Sequence, residues 1–109
     1  MAPKTITNKD ELQDLTEQNS LVIVAALEAG FKPGDMEFEG IAQKNGQGNV
    51  GFAKFFLEEA PELATHFEID DVHTVITLID GQKGPTFPGF EPDRWEEMVR
   101  GMFEMQGGN

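Results

Sequence analysis

The sequence predicts an α/β fold: a three-layer α/β/α sandwich in the order β-α-β-α-β-α-β-β-α around a central mixed sheet. Three observations predict it. The run Leu21–Leu27 is continuously apolar and rich in β-branched residues, the pattern of a strand covered on both faces. Apolar residues at helical spacing alternate with strand-like runs along the rest of the chain. Asp80-Gly81, between two such runs, is a hairpin signal that adds one antiparallel strand near the end. Strands alternating with helices are accommodated by a sheet with helices on both sides.

Each element has its own justification. Met1–Thr7 alternates weakly around Ile6 and reads as an edge strand. Asn8 followed by Glu11 resembles a capping box, and Leu12 and Leu15 make 9–18 a short amphipathic helix that Asn19 and Ser20 end. After the central strand comes a turn at 30–34, then helical spacing at Met36, Phe38 and Ile41. Pro33 suits the first turn of that helix, and Asp35, Glu37 and Glu39 lie near its positive end. It is expected to end by Asn45, with Gly46 as a left-handed cap. A loop over 45–49 leads to a strand at Val50–Leu57. A short helix then starts across Glu58–Glu62, turning Leu63, Ala64 and Phe67 inward, and Asp70-Asp71 breaks it. Val72–Ile79 is β-branched and strand-like. Gln82–Pro88 returns at a sheet edge, because Pro85 and Pro88 cannot donate to a ladder. In the final helix Trp95, Met98, Val99, Met102 and Phe103 form an apolar stripe that belongs to the core. Residues 1–105 are expected to make one domain, with 106–109 as a flexible tail.

Composition excludes several kinds of function. The chain of 109 residues has no cysteine, which removes disulfides, thiol nucleophiles and thiolate metal sites. Its net charge is −12, which disfavours nucleic acid and anionic membranes, since both are bound through clustered Lys and Arg. A basic protein surface is the partner such a charge would steer. The longest apolar run, Leu21–Leu27, is far short of a membrane span, and the polar N-terminus lacks a signal core. A cytoplasmic protein is expected.

The residues also resemble a known family. Phe52-Ala53-Lys54 followed by Glu59-Ala60-Pro61-Glu62-Leu63-Ala64 is similar to the thioredoxin segment that reads FAK and then NPELA. The stretch Phe67–Thr74 resembles that family's aromatic, Gly-Val and Ile-Pro-Thr run, and Leu78–Gly81 resembles its strand–Asn–Gly hairpin. The likeness runs from about Thr5 to Met105 and implies a thioredoxin-like fold. Placing Pro33 on the proline of the family's CGPC motif puts Phe31 and Gly34 where the two cysteines stand. Disulfide exchange needs an attacking thiolate and a resolving thiol, and neither residue supplies one. The family's buried acid falls on Ala25, and its cis-proline on His73. A non-proline cis bond costs about 2.5–4 kcal/mol, so the Val72–His73 bond is expected to be trans.

The resemblance therefore implies a redox-inactive thioredoxin-like domain that binds a protein through the surface replacing the CxxC site. The residues expected there are Phe31, Lys32, Val72, His73 and Phe90, with Phe31 exposed at the tip of its turn or folded inward over the core. The partner expected is another protein, for which a basic surface would suit the net charge, or a second copy of the chain. The alternative is a non-thiol enzyme with His73 as acid or base, oriented by Asp70 or Asp71. No nucleophile or oxyanion donors stand beside it in sequence, so no catalytic residue is assigned. His66 reads as a surface residue. The acidic groups Glu58/Glu59/Glu62, Asp70/Asp71 and Glu91/Asp93/Glu96/Glu97 lack a calcium-loop pattern and read as solvated. No metal or other cofactor is implied.

Overall fold

The computed structural model describes residues 3–45, 50–69 and 73–105, apart from the side chains of Asn45, Phe103 and Met105. Nine elements follow in order: β1 (Lys4–Thr5), α1 (Lys9–Gln18), β2 (Leu21–Leu27), α2 (Lys32–Asn45), β3 (Val50–Phe56), α3 (Pro61–Phe67), β4 (Thr74–Ile79), β5 (Gln82–Phe87) and α4 (Pro92–Met105). They build one five-stranded sheet in the order β1-β3-β2-β4-β5. β1, β3 and β2 run parallel; β4 and β5 run antiparallel to their neighbours. The predicted mixed sheet is present with the predicted element order.

All seven residues of β2 are buried, because the strand is central and both its faces are covered. Alternation divides them. Leu21, Ile23, Ala25 and Leu27 join Phe38, Ile41 and Ala42 of α2 and Trp95, Met98, Val99 and Met102 of α4. Val22, Val24 and Ala26 join Leu12 of α1 and Leu63 and Phe67 of α3 on the opposite face. The period-two strand thus separates two helical layers, one holding α2 and α4 and the other α1 and α3.

The start of α1 follows the capping expectation with one change of partner. Asn8 Oδ1 accepts from the Glu11 N–H at 2.9 Å. The Glu11 carboxylate reaches back to Thr7, accepting from its N–H and its hydroxyl at 2.8 Å each. These Thr7 bonds, with a smaller contribution from the charge of Lys4, hold the Glu11 carboxyl below its ordinary pKa against a small opposing effect of desolvation. The sign of the linkage follows. A depressed folded-state value gives stability that is present above the unfolded pKa and lost as pH falls through the folded one. Glu11→Gln keeps an acceptor for Thr7 but cannot titrate. Acid titration of the variant, followed by circular dichroism, is expected to show a shallower loss of stability in the carboxylate range than the parent shows.

Several boundaries differ from expectation for identifiable reasons. Gly34 lies inside α2, which begins at Lys32, so the turn is shorter than 30–34. Met36 is not on the buried face of α2; it is 71% exposed, while Phe38, Ile41 and Ala42 make the inward stripe at three- and four-residue spacing. Residues 58 and 59 form a turn rather than helix, and α3 begins at Pro61, whose missing N–H costs nothing there. β3 stops at Phe56, with Leu57 donating its N–H to the Leu27 carbonyl at 3.0 Å. β4 starts at Thr74, preceded by His73 with φ +62°. The expected Gly46 cap, the break at Asp70-Asp71 and the tail 106–109 lie outside the described residues, as does Phe103 among the stripe side chains.

Candidate protein-binding surface at the α2 N-terminus

The sheet order brings three separate segments together. β2 and β4 are antiparallel neighbours with Ala26 opposite Thr74, so the end of β2 meets the start of β4. β4 and β5 are antiparallel with Val75 opposite Phe87, so the end of β5 arrives at the same place. Phe31 follows β2, His73 precedes β4 and Phe90 follows β5. The topology alone makes them neighbours.

Their rings touch. Phe31 and His73 have centroids 4.3 Å apart, Phe31 meets Phe90 edge to face at 5.0 Å, and His73 lies 6.2 Å from Phe90. Phe90 also stands edge to face on Trp95 at 5.6 Å. Edge-to-face pairs at such distances are favourable beyond the area they bury. The four rings descend from the surface into the core: Phe90 is 37% exposed, Phe31 and His73 are half-buried, and Trp95 is fully buried. Trp95 is held there by its indole N–H, which donates to the Gly89 carbonyl at 3.1 Å.

Phe31 is thus neither a fully exposed tip nor a fully buried core residue. Its ring lies back over the first turn of α2, where a Cβ on Gly34 would come within 3.1 Å of Phe31 Cδ2 and 3.4 Å of Leu27 Cδ2. Glycine at 34 leaves the space into which the ring leans. The turn that delivers Phe31 depends on Gly30 at φ +96°, a conformation that side chains disfavour. The Phe31 N–H donates to the Glu28 carbonyl at 3.0 Å, and the Glu58 carboxylate accepts the Ala29 N–H at 3.1 and 3.2 Å. The Phe31 loop is therefore tied to the turn after β3.

The other expected residues divide. Lys32 opens α2 and is exposed, outside the ring contacts of the trio. Val72, and with it the Val72–His73 bond and the carboxylates of Asp70 and Asp71, lies outside the described residues. His73 carries two costs at one position. Its backbone is left-handed, and its Nε2 is buried with no hydrogen-bond partner among the described residues. An unsatisfied buried polar atom costs about 1–3 kcal/mol. His66 is exposed, as expected of a surface residue. Among the described residues no group of three His, Cys, Asp or Glu is placed to hold a metal ion, and no helix is long and apolar enough to cross a membrane.

Sequence reasoning missed an ion pair beneath this surface. Lys54 stands opposite Ala25 in the β2–β3 register. Its Nζ donates to Asp35 Oδ1 at 2.5 Å, and the two side chains are 12% and 33% exposed. The amine also lies 5.9 Å from the Phe56 ring centroid. The available signal was a lone lysine inside the apolar run of β3, which requires a carboxylate nearby; the strand position opposite it is alanine, so the first turn of α2 provides one.

No protein-family model and no curated protein matches the chain. Solved structures do. Over 91% of this chain and 98% of the other, it superposes on a cysteine-to-serine variant of Entamoeba histolytica thioredoxin with a TM-score of 0.81 and 20% identity. Mitochondrial thioredoxin 3 of Saccharomyces cerevisiae matches over 90% of this chain and 93% of its own, with a TM-score of 0.79 and 22% identity. The chain has the thioredoxin fold.

This thioredoxin-fold domain is also similar to the thioredoxin of Malassezia sympodialis, with a TM-score of 0.80 and 22% identity over 91% of this chain and 89% of that one. Identity at this level speaks for the fold alone. With no cysteine anywhere in the sequence, the domain lacks the attacking and resolving thiols on which disulfide exchange depends.

Proposed function

We propose that this thioredoxin-fold domain is non-catalytic and acts by binding another protein, as an adaptor, chaperone-like module or assembly subunit, through the surface of Phe31, Lys32, Val72, His73 and Phe90. The observation that carries this reading is the gathering of Phe31, His73 and Phe90 from three segments into one partly exposed aromatic group. Aromatic side chains are the usual anchors of protein interfaces. A partner that covers the group would remove the exposed part of Phe90 from water and rigidify a turn already pinned by Glu58. The enzyme alternative, with His73 as acid or base, is less well supported. The Nε2 that would carry a proton is buried and meets neither an orienting carboxylate nor a nucleophile among the described residues.

The test is the double variant Phe31→Asp with His73→Asp. Both substitutions suit their backbone sites. Aspartate just ahead of α2 favours the helix N-terminus, and aspartate tolerates the left-handed conformation of position 73 better than most residues. The variant is expected to keep its circular dichroism spectrum and to lose the partner retained by the parent in affinity purification from its native source. Retention of the same partner by a folded variant contradicts the assignment. Any enzymatic activity that survives in a His73→Gln variant also removes the alternative.

A further inference from the structure

We infer that the occupant of the aromatic surface is a cationic segment of a different protein, in which Lys or Arg side chains flank an apolar anchor, and not a second copy of this chain. The inference rests on the protein-binding reading above and decides between its two kinds of partner. Area is the first argument. Phe90 is 37% exposed and Phe31 and His73 less so; with about 150–250 Å² for a whole Phe side chain, the group offers at most on the order of 200 Å², against about 800 Å² per partner in a standard interface. The aromatic centre is an anchor point only, and the rest of any interface must come from its rim.

The rim is acidic. Glu28 supplies the carbonyl that holds the Phe31 turn, Glu58 binds the Ala29 N–H and Glu91 follows Phe90; all three are exposed. Glu59 and Asp93 are exposed beside them. Against these stand two exposed cations, Lys32 and Arg94, and Arg94 already lies 3.5 Å from Glu91. The third cation, Lys54, is held by Asp35 below the surface. A twofold contact between two such rims would set carboxylates against carboxylates on two bodies of net charge −12, and like-charge juxtaposition costs several kcal/mol. A cationic segment reverses that sign. Its Lys or Arg side chains meet Glu28, Glu58 and Glu91, and they can also lie over the faces of Phe31 and Phe90.

The experiment selects a random short-peptide library on four forms of the purified protein. These are the parent, a rim variant (Glu28→Gln, Glu58→Gln, Glu91→Gln), an α1 variant that removes the same charge elsewhere (Asp10→Asn, Asp14→Asn, Glu17→Gln), and a ring variant (Phe31→Ser, Phe90→Ser). α1 packs on the opposite face of the sheet from α2, and its residues Lys9, Leu12, Gln13 and Thr16 share a hollow with Gly81 of the β4–β5 hairpin. Peptides enriched on the parent are expected to carry Lys or Arg around an apolar residue. They should bind the rim variant about tenfold more weakly, as three screened ion pairs allow, and bind the α1 variant almost as tightly as the parent. Equal losses in the rim and α1 variants, or enrichment of neutral and acidic peptides, overturn the cationic assignment while leaving the binding surface standing. Peptides indifferent to the ring variant, or no enrichment at all, overturn the binding surface itself. A dimer in sedimentation of the parent that the ring variant abolishes makes a second copy the occupant and refutes the inference.

Discussion

Truncation of Trp95 to alanine is expected to cost about 3–5 kcal/mol, the range for removing a large buried aromatic. The residue is fully buried in the α2/α4 layer, packs edge to face on Phe90 and donates its indole N–H to the Gly89 carbonyl. The substitution removes all three effects and leaves the partly buried Gly89 carbonyl without that donor. Against a total stability of about 5–15 kcal/mol for a domain, the loss is a large fraction. Urea unfolding of Trp95→Ala is expected to show a far lower midpoint with a similar slope. Trp95→Phe, which keeps most of the volume but loses the N–H, should fall between it and the parent. A midpoint for Trp95→Ala close to the parent's contradicts the packing described. Because Trp95 is the buried end of the aromatic series, the alanine variant should also loosen Phe90, and binding should weaken more than stability predicts.

The second large effect concerns the Asp35–Lys54 pair. Removing one partner of a well-buried ion pair costs about 3–5 kcal/mol because the other charge is stranded. Here Asp35 is one-third exposed, so water screens part of the loss and about 1–3 kcal/mol is expected for Asp35→Ala. The reverse truncation, Lys54→Met, leaves the more exposed carboxylate at the start of a helix, where negative charge is favoured, and should cost under about 1 kcal/mol. The double variant should resemble Lys54→Met, since its stranded ammonium is gone. Urea unfolding of the four proteins closes the cycle. Additive losses would show that the two side chains do not act together.

Much of this was legible in the sequence because strong periodic signals coincide with burial. Leu21–Leu27 and the stripe of Trp95, Met98, Val99 and Met102 point to their places without ambiguity, and the observed β2 and α4 carry them. Asn8 marks the start of α1 because a side-chain oxygen there bonds the Glu11 N–H, a local interaction that needs no tertiary knowledge. Met36 was misleading since a single apolar residue fits a helical stripe on either side of Phe38, and only packing decides which side faces the sheet. Gly34 read as turn because its neighbours Gly30 and Pro33 are turn formers; in the fold its lack of a side chain instead makes room for Phe31. The surface itself was partly legible. The family resemblance groups Phe31, His73 and Phe90 at one edge, and the observed strand order shows why: the segments after β2, before β4 and after β5 converge. The Lys54–Asp35 pair was not, because it depends on the β2–β3 register and on how far α2 extends toward its N-terminus.

A thioredoxin fold without thiols can present an idle edge or a working surface here, and these differ in what happens when a partner binds. The most direct measurement is amide hydrogen exchange on the domain alone and on the complex purified with it. A working surface at the aromatic group gives slowed exchange at 28–34, 73–75 and 88–91, the three segments that carry Phe31, His73 and Phe90, with α1 and the β4–β5 hairpin unchanged. Protection confined to α1 or the hairpin, with the aromatic segments exchanging as they do in the free domain, would contradict it.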